Sequence, residues 1–560
     1  MDETTVDVLS VGSGPGGLIA ATVARRQGLE SLVVEKSRYV GGTSTQSFGA
    51  LWFADNPRQR DAGRRDSVED ALTYLESIVG DAGPATGRAR QEAYLREGLR
   101  LLAYLEALGV EFVPVRHYPD YYAERPGGVT EGRILNSPLF DARRLGPWRG
   151  WVRPRERLPL GMVVGSIEEF KAMALAATSI KAAGSAARTF ARGCLLKARG
   201  VRPLVLGAAY IGQLLLVAQR EQVPIWRESP MRELLVSGDR VVGAVVERDG
   251  RPVTVRARRG VLLNTGGFAR NLELREKFGP HPASVSWTSM IPEDTGDGYR
   301  VATDLGAATS NLDEAYWLPM LLGPDGEPQL FLTERHQPHS LIVDGSGARY
   351  ADEAADYMAL GKAMYARHRQ TPAIPSWLII DSRHRARYPL GFVMPRVEPK
   401  AWLRSGYLRR ADSIGALADA CGIDRPGLEA QVERFNEMAG RGVDEDFHRG
   451  ESHYDRVYGD PTVRPNPCLG AVARPPFYAA QVVPGDLGMA GGVVTDEHGA
   501  VLREDRTRIP GLYACGTTAA SAMGRVYAGG GISLGQSSVF GFLAAEQMCR
   551  PVSPAHDPGE

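Results

Sequence analysis

The sequence predicts an α/β fold, a discontinuous Rossmann-like nucleotide-binding domain interrupted by an inserted α+β domain, and three observations predict it. Near the start, VDVLSVGSGPGGLIAATVARRQGLESLVVEK reads as strand, glycine turn, helix and second strand. Near the end, RIPGLYACGTTAASAMGRVYAGGGISLGQSSVFGFLAAEQM supplies a second glycine-rich passage from strand to helix. Between them, after Gly306, the chain becomes mixed α and β with helices of its own, and nucleotide-domain character returns at Gly488.

In the first segment the apolar run Val6 to Val11 has the shortness of a buried parallel strand and runs into Gly12, Gly14 and Gly17, a complete GxGxxG. Gly12 permits the tight turn, Gly14 lets backbone N–H groups approach a pyrophosphate, and Gly17 allows the helix starting near Pro15 to pack on the strand. Phosphates then sit at a helix N-terminus. Ser31 to Val34 form the next strand, which ends at Glu35, placed to accept hydrogen bonds from an adenosine ribose.

NAD and FAD share this fingerprint, so the choice between them comes from the C-terminal segment. The strand Gly511-Leu512-Tyr513-Ala514-Cys515-Gly516 ends in small residues, and Gly529, Gly530 and Gly531 lead through Ile532 and Ser533 into an alanine-rich helix. A nicotinamide enzyme has no use for a second, distant junction of this kind. FAD does, because its flavin lies far from its adenine and a helix N-terminus near the pyrimidine edge stabilises negative charge on the reduced ring.

With 560 residues, more than one domain is expected. Sixty-six basic and 66 acidic residues cancel, so no general field favours nucleic acid, and the expected partner is a small molecule. Cys194, Cys421, Cys468, Cys515 and Cys549 are scattered without CxxC spacing, which suggests neither a disulfide framework nor a metal site. The acidic start MDETTVDVLSVG enters its first strand at once, and a cytoplasmic location is expected.

Ser67 to Gly109 reads as two amphipathic helices separated by GDAGPATG, and 114–159 as a loop region dense in Pro, Gly, Arg and Tyr. Strands follow from VPIW through RELLVSGDRVVGAVVE and VTVRARRGVLLNTGG, with hairpin turns at 237–239 and 249–250. Helices are expected over Ala355 to Arg367 and Ile414 to Gly440. Between Phe170 and Arg220 there is no Asp or Glu, while eight Lys and Arg residues occur. The stretch 171–202 is thus a candidate for peripheral contact with an anionic bilayer. The run Pro203 to Gln219 falls short of the ~20 residues of a bilayer span and fits a core helix leading into VPIW.

Eight segments, in order, make the chain resemble the 3-ketosteroid dehydrogenases, within the flavoprotein superfamily that also holds fumarate reductases. They are GSGPGG with Glu35, GGTSTQS at 41–47, GVLLNTGGF at 260–268, TGDGYRVATDLGA at 295–307, HSLIVDGSGARYADEAADYM at 339–358, PGDLGMAGGVVTD at 484–496, GLYACG, and MGRVYAGGGISLG at 523–535. The resemblance implies an FAD domain over 1–313 and 488–560 with a substrate-binding insert over 314–487. It also implies an FAD site of Gly12, Gly14, Pro15, Gly16, Gly17, Glu35, Lys36, Gly42, Thr43, Ser44, Ser47, Gly266, Asp297, Gly516, Ser533 and Leu534. GGTSTQS carries no histidine, so the flavin is expected to be non-covalent.

Removing two hydrogens from adjacent carbons beside a ketone needs an electrophile for the carbonyl oxygen, a base for the acidic α-hydrogen and a hydride acceptor. By resemblance, the Tyr527 hydroxyl and the Gly531 N–H bind the ketone oxygen, Tyr357 is the base and flavin takes the hydride. Because a free tyrosine has a pKa near 10, a neighbouring hydroxyl must stabilise its charge; in the cluster Tyr118, Tyr121 and Tyr122, the resemblance favours Tyr121. The implied substrate is a 3-ketosteroid oxidised at C1–C2, and the implied partner an external electron acceptor of quinone type. Ala528 and Gly530 stand where many members carry proline, which predicts a less constrained loop and leaves Δ4-(5α) oxidation or a non-steroidal cyclic ketone as alternatives. Two further readings are a fumarate-reductase-like enzyme, for which Arg335 and His336 are the candidate clamps, and a flavoprotein that binds FAD without catalysis.

Overall fold

The computed structural model describes residues 2–154 and 163–551; positions 155–159 of the predicted loop region and the outermost ends of the predicted domains lie outside them. Strand β1 (Asp2–Val11) is buried from Val6 onward and feeds helix α1 (Pro15–Arg26), which returns the chain to strand β2 (Ser31–Val34). The parallel partner of β1 on its other side is β3 (Arg251–Leu263), and β4 (Arg508–Ala514) lies parallel beside β3. The sheet order is Ala500–Leu502, β4, β3, β1, β2, Ile225–Trp226. Strand β1 starts four residues before the predicted Val6, because Asp2 to Thr5 pair with Val253 to Arg256 at the root of the antiparallel hairpin Met231–Ser237 and Arg240–Arg248. Both predicted hairpin turns fall between these strands, with Gly238, Asp249 and Gly250 at positive φ.

The two glycine-rich segments meet. Helix α2 (Ile532–Cys549) runs from Gly531 and crosses α1 so closely that a Cβ on Gly541 would stand 2.4 Å from the Gly16 Cα. The predicted core helix is present as Gly207–Arg220, buried almost throughout and followed by the strand Ile225–Trp226 beside β2. The two helices predicted within 67–109 are Val68–Val79 and Arg88–Ala107.

A second sheet lies within Ala315 to Met489. Its antiparallel order is Pro328–Leu330, Ala315–Leu322, Phe477–Met489, Ser376–Ile380, Ser340–Val343, with Leu408–Ala411 also pairing with Phe477–Met489. The helix expected over Ile414 to Gly440 is in fact two, Ile414–Cys421 and Arg425–Arg441. Gly422 ends the first in the left-handed region and the Asp424 carboxylate caps the second, so the sequence Cys-Gly-Ile-Asp-Arg-Pro is a stop followed by a start. The helix expected from Ala355 begins at Tyr357, with Asp356 accepting from the Met358 and Ala359 N–H groups as its N-cap.

The basic stretch forms the helices Ile167–Ala174 and Ile180–Ala198, packed on each other, with Ile180, Phe190 and Leu195 exposed on the second. Among the described residues no helix is long and apolar enough to cross a membrane.

Candidate active site

One cavity of about 1480 Å³ takes in both glycine-rich segments and a face of the second sheet. Of the twenty predicted site residues, eighteen line it, and Gly16 and Gly17 do not. Those two stand one layer behind it, where Gly17 has the helix-packing role expected of it and Gly16 a second one. A side chain on Gly16 would strike the Cys515 Sγ and the Ser537 carbonyl, each at 2.4 Å, and one on Gly17 the Gly12 carbonyl at 2.1 Å. They let α1 close on α2 and on the end of β1.

Gly12 sits at φ +99 with its Cβ position 2.1 Å from the Asn264 carbonyl, so only glycine fits there. Asn264, which the sequence reading passed over inside GVLLNTGGF, ties the fold-critical pieces together. Its Oδ1 accepts from the Gly17 N–H at 3.1 Å, and its Nδ2 donates to the Ser537 Oγ at 3.2 Å. Glu35 ends β2 in the cavity wall, accepting from the Ser13 Oγ at 2.5 Å and the Ser37 N–H at 2.8 Å; burial raises its pKa against those bonds. Lys36 is held by Asp297 at 2.8 Å and Thr295 at 2.7 Å. Asp294, also missed, accepts from the Gly267 and Ala269 N–H groups in the cavity wall, and burial pushes it up to about 7.

These residues fit a dinucleotide. Gly14 and Gly531 are the N-caps of α1 and α2, and as glycines neither puts a side chain between its helix start and the cavity, while behind the cavity the Gly16 and Gly17 N–H groups donate to the Ser537 Oγ and the Asn264 Oδ1. The positive ends of two helix dipoles therefore open on one cavity, one beside the fingerprint and one beside Tyr527.

The remaining wall is phenolic. Tyr121, Tyr357 and Tyr527 are all buried, with ring centroids 5.4 Å apart for Tyr121 and Tyr357, 5.6 Å for Tyr121 and Tyr527, and 5.4 Å for Tyr357 and Tyr527. The Tyr121 hydroxyl donates to the Tyr357 oxygen at 3.3 Å. Burial raises the pKa of all three, most strongly for Tyr121 and Tyr357. Around the Tyr527 oxygen the Ser533 and Tyr357 hydroxyls and the backbone N–H groups of Ser533 and Gly531 oppose that rise, which puts the Tyr527 hydroxyl beside the Gly531 N–H. Tyr316 was missed; in the strand Ala315–Leu322 it alternates with Trp317, and its ring meets Tyr527 edge-on at 5.2 Å.

The loops bearing these phenols are fixed from behind. Arg133, fully buried, holds Asp66 at 2.6 Å and Asp120 at 2.7 Å, and Asp120 also accepts from the Trp52 Nε1 at 2.7 Å, which anchors the segment from Tyr118 to Tyr122. The Ala528 carbonyl accepts from the Tyr74 hydroxyl at 2.6 Å and from the Tyr121 N–H at 3.1 Å. The loop that lacks both prolines is thus tied by hydrogen bonds, contrary to the looser loop expected. Arg335 and His336, candidates for a dicarboxylate clamp, are buried and do not line the cavity.

Fold and site together define a flavoprotein of the FAD-dependent oxidoreductase class. The FAD binding domain family matches residues 7–534. The 3-oxosteroid 1-dehydrogenase of Mycobacterium tuberculosis (strain ATCC 25618 / H37Rv) is 39% identical over 553 residues, 96% of this chain and 97% of its own. The 4-oxocyclohexanecarboxylate 2-dehydrogenase of Sinomonas cyclohexanicum is 35% identical, with 97% and 93% covered. Among solved structures, 3-ketosteroid delta1-dehydrogenase from Sterolibacterium denitrificans in complex with 1,4-androstadiene-3,17-dione matches with a TM-score of 0.91 at 37% identity, over 97% of this chain and 99% of that one. The chain belongs to the FAD binding domain family and, within it, to the 3-oxosteroid 1-dehydrogenases.

Proposed function

We propose that this chain dehydrogenates a 3-ketosteroid, introducing a C1–C2 double bond beside the ketone. The observation that carries this reading is that two carbonyl donors, the Tyr527 hydroxyl and the Gly531 N–H, share one cavity wall with the hydrogen-bonded pair Tyr121 and Tyr357. Bound along the fingerprint, FAD supplies the acceptor for the hydrogen that leaves as hydride. Gly12, Gly14 and Glu35 hold its adenine half, and Gly516, Ser533 and Leu534 its other end.

Tyr527 and Gly531 draw electron density onto the ketone oxygen and acidify the neighbouring C–H. Tyr357 takes that proton, and Tyr121, donating to the Tyr357 oxygen, stabilises the phenolate that must exist beforehand. Burial raises both phenols, so the reactive form is scarce at low pH and the rate should climb with pH. The Δ1 position rests on the Sterolibacterium denitrificans structure, whose complex contains a 1,4-diene ketone. A small oxocyclohexane carboxylate is less well matched, since Leu318, Leu330, Leu332 and Phe392 line the cavity along with Glu334, a carboxyl group.

The domain division we propose is 1–313 with 488–560 for FAD and 314–487 for substrate; the strand Phe477–Met489 overruns the last boundary by two residues. An external quinone-type acceptor would reoxidise the flavin, and the basic stretch 171–202 would rest on an anionic membrane face through Ile180, Phe190 and Leu195 of the helix Ile180–Ala198. The deciding experiment is anaerobic mixing of the yellow holoprotein with a 1,2-saturated 3-ketosteroid. Bleaching of the flavin with formation of the Δ1 product is expected; bleaching by succinate or by 4-oxocyclohexanecarboxylate and not by the steroid would overturn the reading.

A further inference from the structure

Behind the phenols lies a buried cation, Arg335. Arg335 is 0% exposed in the turn Glu334–His336. Its Nη1 donates to the backbone carbonyls of Glu353, at 2.8 Å, and of Ala355, and its Nη2 donates to the Tyr454 hydroxyl at 3.3 Å. The other buried arginines nearby are paired: Arg349 holds Glu353 and Asp444, and Arg449 holds Glu353. Among the described residues no carboxylate stands at ion-pair distance from Arg335. An unpaired guanidinium is costly to bury, so its place next to a phenol cluster calls for an account.

Tyr454, itself 0% exposed, packs its ring 4.3 Å from that of Tyr121. The Tyr121 hydroxyl donates to the Tyr357 oxygen, and the Tyr121 ring packs against those of Tyr118 and Tyr454. We propose that Arg335 is a positioning residue for proton abstraction, its guanidinium acting through Tyr454 as the fixed counter-charge for the negative charge that Tyr357 carries as base. This rests on the reading of Tyr357 as the base.

The other groups facing the cluster do not fill that role. Asp356, the cap of the helix that starts at Tyr357, has the wrong sign and is bonded to the Tyr122 hydroxyl at 2.9 Å. His336, packed edge-on against Tyr454 and Tyr458, is held neutral by burial and by Arg335 itself. Tyr118, Tyr458 and Tyr527 are further phenols, raised by burial. Arg335 and, less strongly, Lys362 lower Asp356 against its burial, and Lys362 is bound to Glu314 at 2.8 Å. Arg335 lowers Tyr118, Tyr454 and Tyr458 against their burial.

Two variants of the holoenzyme test this. Arg335→Gln keeps amide donors for the two carbonyls and removes the charge; Tyr454→Phe keeps the charge and cuts its link to the cluster. The pH dependence of flavin reduction by the 3-ketosteroid and the ultraviolet titration of tyrosinate are read for each. In both variants the limb on which the rate rises should move to higher pH, by up to about one unit, the lower end of the effect of losing an adjacent opposite charge, because Arg335 acts from one residue further away. At neutral pH the rate then falls about tenfold per unit, while KM and FAD content hold, and Arg335→Lys keeps the limb near its wild-type position. An unmoved limb in Tyr454→Phe, or Arg335→Lys displaced as far as Arg335→Gln, would overturn the proposal. Should Arg335→Gln fail to fold, Tyr454→Phe decides. A wild-type protein that no 3-ketosteroid bleaches would sink the substrate assignment instead, and the tyrosinate titration, which needs no substrate, would still decide the role of Arg335.

Discussion

The glycine cradle and the phenol cluster share one cavity wall but are built on opposite principles. The cradle is backbone: Gly12 and Gly14 expose main chain to the cavity, and what makes them a site is the absence of side chains and the presence of two helix starts with glycine N-caps. The cluster is side chain: Tyr121, Tyr357, Tyr454 and Tyr527 come from four separate segments, and only the packing of the second sheet and its loops against the first brings their hydroxyls together. A backbone site tolerates no added atom, whereas a side-chain site tolerates loss of an atom at a graded cost in rate. Variants of the two regions should therefore fail differently, one in cofactor content and the other in turnover.

The largest effect is expected in the cradle. Gly14→Ala would place a methyl 2.5 Å from the Asn264 Oδ1, which accepts from Gly17, and on the surface a pyrophosphate must approach. The purified variant should be largely colourless, with activity lost in proportion; a variant that retains full flavin absorbance would break the assignment of this region. Next comes Tyr357→Phe, which removes the proposed base and should lower turnover by roughly 10² to 10⁴. Tyr527→Phe removes one of two carbonyl donors and should cost about 10² to 10³. Both should remain fully yellow, which is the contrast with Gly14→Ala. If the two phenols serve one transition state, the double variant should lose far less than the product of the two single losses. Near-normal flavin reduction in Tyr357→Phe would move the search for the base to Tyr121.

The same contrast explains what could be read from the sequence. A cradle made of consecutive residues writes itself into the chain as GSGPGG, so its strand, helix and terminal Glu35 were legible to within a few residues. Asn264 was not, although it lay inside a quoted motif, because its contribution is a side-chain amide reaching residues 247 and 273 positions away. In the cluster, Tyr357, Tyr121 and Tyr527 were reached through the resemblance and not through spacing. Tyr316 left only the signal of strand alternation, and Tyr454, Tyr458 and Arg335 lie in segments whose approach depends on tertiary packing. The break at Gly422 was legible in principle, since Gly followed by Asp-Arg-Pro is stop and start chemistry, but the apolar periodicity on either side overrode it.

The smallest effect should sharpen the comparison at the place where the two regions touch. Ala528 carries no functional side chain, yet its carbonyl is the point at which the Tyr527 loop is tied to the Tyr121 segment, through the Tyr121 N–H at 3.1 Å and the Tyr74 hydroxyl at 2.6 Å. Tyr74→Phe removes the second tie and leaves the first, so the carbonyl keeps a partner, but it also removes the bond that the Tyr74 hydroxyl accepts from the Tyr122 N–H at 3.3 Å. The Tyr74 ring stays packed near Trp52, at a centroid distance of 6.3 Å. A loss of about 1 to 3 kcal/mol in stability is expected, about 0.5 to 1.5 kcal/mol for each of the two hydrogen bonds, of which one, to the Ala528 carbonyl, holds the Tyr527 loop. If that bond also sets the position of Tyr527, turnover should fall by an amount of the same order, roughly 2- to 13-fold, with FAD content and the pH limb unchanged. Stability lowered with turnover untouched would show that the Tyr121 N–H alone positions the loop, and that the backbone, in the cluster as in the cradle, does the fixing.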